Sequence, residues 1–153
     1  MTTRSNAGLP AEVSTVRLYV MRVAYAIIVV GLALMIWPLL LTATDGVEHM
    51  RGVTWSLLGA VCLLALVGVR YPLQMLPLLL FELVWKTIWL LAIGLPQRTA
   101  GTMGPGEAAT WVDCVAGVIL CLIAIPWGYV YATYVRRPGD RWRGGIRSPQ
   151  PAP

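Results

Sequence analysis

The sequence predicts an all-α membrane protein, an antiparallel bundle of four transmembrane helices with both termini in the cytoplasm. Three observations predict it. The chain is 58% hydrophobic and only 12% charged, where a soluble domain averages about 25% charged residues. Four apolar runs, 23–41, 53–69, 73–95 and 111–134, fall within the roughly 17–25 residues that cross a hydrocarbon core of about 30 Å, the second only just. Basic residues gather on one side of those runs, and that side is the cytoplasmic one.

The elements follow in order. Residues 1–22 form a cytoplasmic segment, in which Pro10 suits the first position of a helix over 10–22. The run 23–41 outlasts the apolar core of a signal peptide, about 7–15 residues, and no small-residue cleavage site follows it, so it reads as a retained span. An outer loop, 42–52, carries the turn signal Asp45-Gly46. The span 53–69 leads into a tight turn at 70–72, where Pro72 is placed to start the span 73–95. The outer loop 96–110 is rich in Gly, Pro and Thr and is expected to be mobile, and the span 111–134 follows it. Residues 135–153 have the Pro/Gly/Arg composition of a disordered cytoplasmic tail.

Within the spans, Pro38, Pro77 and Pro126 lack an amide donor, so the carbonyls of Leu34, Leu73 and Leu122 are expected to lose their usual helical amide. Bending at Pro77 and Pro126 is the expected result. Gly31, Gly59, Ala60, Gly68, Gly117 and Gly128 offer the close backbone approach that helix contacts in lipid prefer.

Charge and aromatics set the orientation independently. Arg4, Arg17 and Arg22 precede the first span, and Arg136, Arg137, Arg141, Arg143 and Arg147 follow the last. Trp37, Trp55 and Trp111 fall at expected outer helix ends, while Tyr19, Tyr25, Tyr71, Tyr129, Tyr131 and Tyr134 fall near inner ends, as interfacial belts do. A basic run directly after a span attracts anionic headgroups at about 1 kcal/mol per residue. Arg136, Arg137, Arg141 and Arg143 are therefore expected to contact anionic lipid at the cytoplasmic face, and nucleic acid is not expected. Eleven arginines against one lysine suggest a GC-rich bacterial genome, and hence the cytoplasmic (inner) membrane.

One stretch points to chemistry. In "LLLFELVWKTIWLL", Glu82 and Lys86 stand four residues apart on one helix face, each roughly 14 Å from a hydrocarbon edge. Lysine side chains lean towards the helix N-terminus, so Lys86 leans towards Glu82. Separately the two charges would cost on the order of 5–7 kcal/mol near the midplane. A polar face inside the bundle reduces that cost. Trp85 and Trp89 flank the pair as walls, and Gln74 marks a cytoplasmic approach. The plain alternative is a packing lock between helices, since buried ion pairs often stabilise no better than apolar residues. Asp113 is a secondary candidate at the outer face, within reach of Arg51, Arg98 or His49, or simply a solvated carboxylate favoured by the helix dipole.

Other chemistries lack their residues. His49 is the single histidine and lies in a loop, which excludes a bis-histidine haem site within the spans. Cys114 and Cys121 are two turns apart, too far for a disulfide within one helix, and no Cys-x-x-Cys pair is present. There is no glycine-rich phosphate loop, no metal-ligand cluster, and no Ser/His/Asp set at one depth. An enzyme is disfavoured, no haem or metal is expected, and a quinone or a lipid is the expected class of bound molecule.

The segment "RYPLQMLPLLLFELVWKTIWLLAIGLP", residues 70–96, with "IPWGYVYATYV" and "RPGDRWR", resembles small four-span membrane proteins of bacteria that carry no assigned activity. In span count the chain is also similar to DoxX-like proteins. The resemblance covers about half the chain and implies topology, not activity. The expected function is an intramembrane Glu/Lys site that binds or passes a proton or an amphipathic ligand. The alternative is a structural or assembly subunit, in a homo-oligomer or a larger membrane complex.

Overall fold

A computed structural model describes residues 13–42 and 46–137. The described residues are helical, and no strand occurs among them. Four helices are long and apolar enough to cross a membrane: α1 (Thr15–Thr42), α2 (His49–Arg70), α3 (Leu76–Thr99) and α4 (Pro105–Ala124). Only 17% to 28% of each apolar window is buried inside the protein. Leu34, Leu66, Ile88, Leu91, Val112 and Ile123 are exposed, as lipid-facing positions of a spanning bundle must be. The protein is an all-helical, multi-pass membrane protein.

Contacts divide the described residues into two units, Val13–Pro126 and residues 127–137. The second unit is a helical turn, Trp127–Val130, continued by a π-helical stretch, Tyr131–Arg136. The first unit holds the four long helices, with α1 packed along α2 and α3 packed along α4.

Small residues make the α1–α2 seam. A methyl group added at Gly59 would lie 2.9 Å from Leu40, and one added at Gly68 would lie 2.6 Å from the ring of Tyr25. Between them, the Cys62 thiol donates to the Val29 carbonyl at 3.6 Å. Such close backbone approach is how helices gain dispersion contacts where lipid is as apolar as the side chains. Tyr25 is fully buried, and its hydroxyl donates to the Pro72 carbonyl at 3.2 Å. It therefore works as a core residue that ties α1 to the α2–α3 turn, not as a member of an interfacial belt. The ring is buried because its one polar atom has an acceptor there.

Helix ends follow local chemistry. Gly46 adopts φ 104°, the left-handed region glycine favours, just before the Glu48 side chain accepts from the Met50 amide at the start of α2. The α2–α3 turn runs to Met75, so α3 begins at Leu76, three residues later than Leu73. Pro77 then sits in the first turn, where its missing N–H costs nothing and no kink is needed. The Leu73 carbonyl accepts from the Leu76 amide.

The loop end of α3 extends past the expected span. Pro96 would press on the carbonyl of Ala92 in a regular helix. The chain instead widens into a π-helical turn over Leu90–Gly94, with the Leu95 amide bonded to the Leu90 carbonyl, before resuming as Leu95–Thr99. Gly101, at φ 69°, closes the helix, and the Thr102 amide bonds to the Gln97 carbonyl.

Helix α4 starts six residues before Trp111, with Pro105 in its first turn and Glu107 beside the positive helix end. At its other end Pro126 breaks the helix instead of bending it. Ile125, the residue before the proline, is extended at φ −67° and ψ 124°. The break leaves carbonyls without helical amides, and Arg17 from α1 donates to those of Ile123 and Ile125, at 3.3 Å each. A cation at a helix C-terminus also meets the negative end of the dipole. Replacing Arg17 by glutamine should cost about 1 kcal/mol. Hydrogen exchange should then quicken at the Ala124 and Ile125 amides, with exchange in α2 unchanged.

Candidate functional site

The site lies where α3 faces α4. Glu82 and Lys86 share a face of α3, and Lys86 Nζ lies 3.2 Å from Glu82 Oε2. This is the only ion pair among the described residues. Glu82 is 2% exposed and is the only buried charged residue in the described protein. Lys86, the single lysine of the sequence, has a side chain that is 15% exposed.

Neighbours on both helices shape the pair. The Trp85 ring lies beneath the ammonium, 4.1 Å from Nζ to the ring centroid, within cation–π range. Across the seam, Gly117 of α4 receives the lysine stem. A methyl group there would fall 2.5 Å from the ε-carbon and 2.6 Å from the δ-carbon. Cys114 and Cys121 lie three and four residues either side of Gly117, are buried, and continue the same face. Their thiols are free, as the spacing requires.

The carboxylate is asymmetric in its bonding. Oε2 meets the ammonium, while Oε1 is buried and has no hydrogen-bond partner. A buried unsatisfied oxygen of a charged group is costly, so its presence calls for an explanation. The Thr87 hydroxyl does not supply a donor, because it donates to the Leu83 carbonyl of its own helix at 2.7 Å. In chemical terms the site offers one free acceptor beside a cation whose remaining N–H groups are donors.

The other expected site residues lie elsewhere. Trp89 turns towards the loop end of α3, where its ring and that of Trp111 close on Gly94, 2.8 Å and 2.7 Å from an added methyl group. Arg98 stacks over Trp111 at 5.2 Å. Gln74 is exposed in the α2–α3 turn. Asp113 is exposed in the third turn of α4, and among the described residues it pairs with none of Arg51, Arg98 or His49. Arg136 and Arg137 are exposed in the second unit, while Arg141 and Arg143 lie outside the described residues. No group of His, Cys, Asp and Glu able to hold a metal forms among the described residues.

Nothing in the sequence marks Gln97, yet its Oε1 is also buried without a partner. Gly117 reads from the sequence as a packing residue, and its spacing from Cys114 and Cys121 is the clue to a narrow face. Comparison of the chain with known protein families, with curated proteins and with solved structures gives no match.

Proposed function

We propose that Glu82 and Lys86 form an intramembrane polar site that takes up a proton or the polar end of an amphipathic molecule, a quinone or a lipid. The observation that carries this reading is the unpartnered Oε1 of a carboxylate that is 2% exposed. A structural ion pair alone gains nothing from a bare acceptor. A site that receives a hydroxyl, or a proton, needs one. The adjacent ammonium supplies the matching donor for a carbonyl, so the pair suits both redox states of a quinone headgroup. Trp85 fixes the ammonium between carboxylate and ring.

The setting follows from the same logic. We place both termini in the cytoplasm of a bacterium, the helices in its inner membrane, and Arg136, Arg137, Arg141 and Arg143 against anionic headgroups, on the charge asymmetry described above.

Infrared difference spectra of the protein in lipid vesicles test the site, recorded on acidification and on addition of a soluble quinol analogue. A carboxyl band that responds to either and disappears in Glu82→Gln is expected. A Glu82 band indifferent to both would remove the reading. One observation favours the second reading, a packing lock within an assembly subunit: the fit of the lysine stem into Gly117. In that case native mass spectrometry in mild detergent should show partner proteins retained by wild type and lost on Lys86→Met.

A further inference from the structure

Packing within the four-helix unit is uneven along its length. At the end marked by the α2–α3 turn, Leu76 and Leu79 of α3 are buried, and so are Cys121, Ala124 and Ile125 of α4. Met21 and Ala24 of α1 belong to the same end, between Arg17, which reaches Ile123 and Ile125, and Tyr25, which reaches Pro72. None of these seven packed residues is more than 1% exposed. The other half is loose. From Leu83 to Ile93 of α3 no residue is buried, and from Pro105 to Leu120 of α4 only Cys114 is.

The charged pair sits at the border between the two halves. Glu82 is the last buried residue of the packed stretch of α3, and Lys86, one turn on, has a side chain 15% exposed. The way to the carboxylate therefore runs past the ammonium.

The packed end offers nothing that a proton or a water could follow. Leucine, isoleucine, alanine and methionine bring no side-chain N–H or O–H, and a buried cysteine behaves as a small apolar residue. The carbonyls of Ile123 and Ile125 already accept from Arg17, and the Tyr25 hydroxyl donates to Pro72. Water enters a protein interior only where there is room and polar partners hold it. Around Glu82 the other groups that titrate are Lys86 on its own helix and Cys114 and Cys121 across the seam. Arg17 and Tyr25 of α1 are engaged by carbonyls, as is Cys62 of α2.

We propose that Glu82 exchanges a proton, or the polar end of a ligand, only with the loop end of the bundle, past Lys86, and that the turn end is a dry seal. The site then receives and returns its cargo at one face and does not pass a proton through the protein. Gln74, in the α2–α3 turn, lies outside the seal and not on a path to the pair. The inference rests on the reading of Glu82 and Lys86 as a polar site and adds its sidedness.

The test follows the Glu82 carboxyl band by infrared spectroscopy while one face of the membrane is acidified. The full protein carries an affinity tag between Thr102 and Met103, in the loop joining α3 to α4. It is reconstituted at single-copy dilution in phosphatidylcholine vesicles with a buffered lumen. Capture through the tag separates vesicles with the loop end outward from those with it inward. External acid should raise the protonated-carboxyl band promptly in the first set. In the second set the band should rise on the order of a hundredfold more slowly, until a protonophore admits acid to the lumen. Leu79→Ser, which opens a polar gap in the packed end, should bring the second rate close to the first. Its loop-end response, unchanged, reports that the variant is folded. Equal rates in wild type, a faster response from the turn end, or a second rate that Leu79→Ser leaves unchanged would each overturn the one-sided arrangement and leave the site standing. A band absent from both sets, even with the protonophore, would remove the site and this inference together.

Discussion

Replacing Lys86 by methionine should lower the stability of the folded bundle by about 3–5 kcal/mol, the loss typical when one member of a buried pair is removed. The size follows from what is left behind. Glu82 would keep its 2% exposure and lose the ammonium at 3.2 Å, so neither carboxylate oxygen would have a partner. Adding Glu82→Gln in the same chain should recover most of the loss, because a neutral amide beside methionine carries no buried charge. Equilibrium unfolding in mixed micelles, followed by tryptophan fluorescence, measures both. A single variant as stable as wild type would mean that Glu82 is hydrated or protonated in the bundle. The double variant also separates the two functional readings. If it is stable but takes up no ligand or proton, the pair is a site. If it is stable and keeps its partners and its activity, the pair is dispensable to both.

Gly68→Ala is expected to have the second-largest effect, about 1–3 kcal/mol of overpacking. The added methyl would lie 2.6 Å from two carbons of the Tyr25 ring. That ring cannot step aside, since it is fully buried and its hydroxyl is tied to the Pro72 carbonyl. A comparable clash arises at Gly117, but there the obstacle is a lysine stem with rotatable bonds. Gly117→Ala should therefore cost less in stability and more in the geometry of the charge pair. If Gly68→Ala melts with wild type, α1 and α2 do not pack at the distance described. Tyr25→Phe keeps the ring and removes the hydroxyl bond, and should cost about 1 kcal/mol.

Much of this architecture was legible because hydrophobic run length is a strong signal where no water is present to satisfy the backbone. The four spans and the Glu82–Lys86 register follow from composition and from the four-residue repeat of a helix face. Boundaries were less legible where proline acts. Pro77 and Pro126 look alike in sequence, but one falls in a first turn and is harmless, and the other stops α4 outright. Position within the helix decides this, and position is known only once the ends are. Tyr25 misled for another reason: an aromatic near the end of an apolar run suits either an interface or a core, and only the Pro72 carbonyl from a distant turn selects the core. The partners of Lys86 across the seam were likewise invisible, since the rotation of α4 about its axis leaves no mark in its own sequence. The start of α4 was no more legible: Pro105 opens the helix six residues ahead of Trp111 because proline suits a first turn, whatever the hydrophobicity there.

The wide turn at Leu90–Gly94 divides α3 into two stretches with different phase. Each residue in it advances the helix by less than the usual angle, so the half bearing Gln97 and Arg98 is rotated against the half bearing Glu82 and Lys86. The ionic centre and the Gln97–Arg98 end of the helix thus answer to separate frames. A single deletion in that turn would re-phase one without touching the other, leaving the aspect of the rim adjustable while the interior stays fixed.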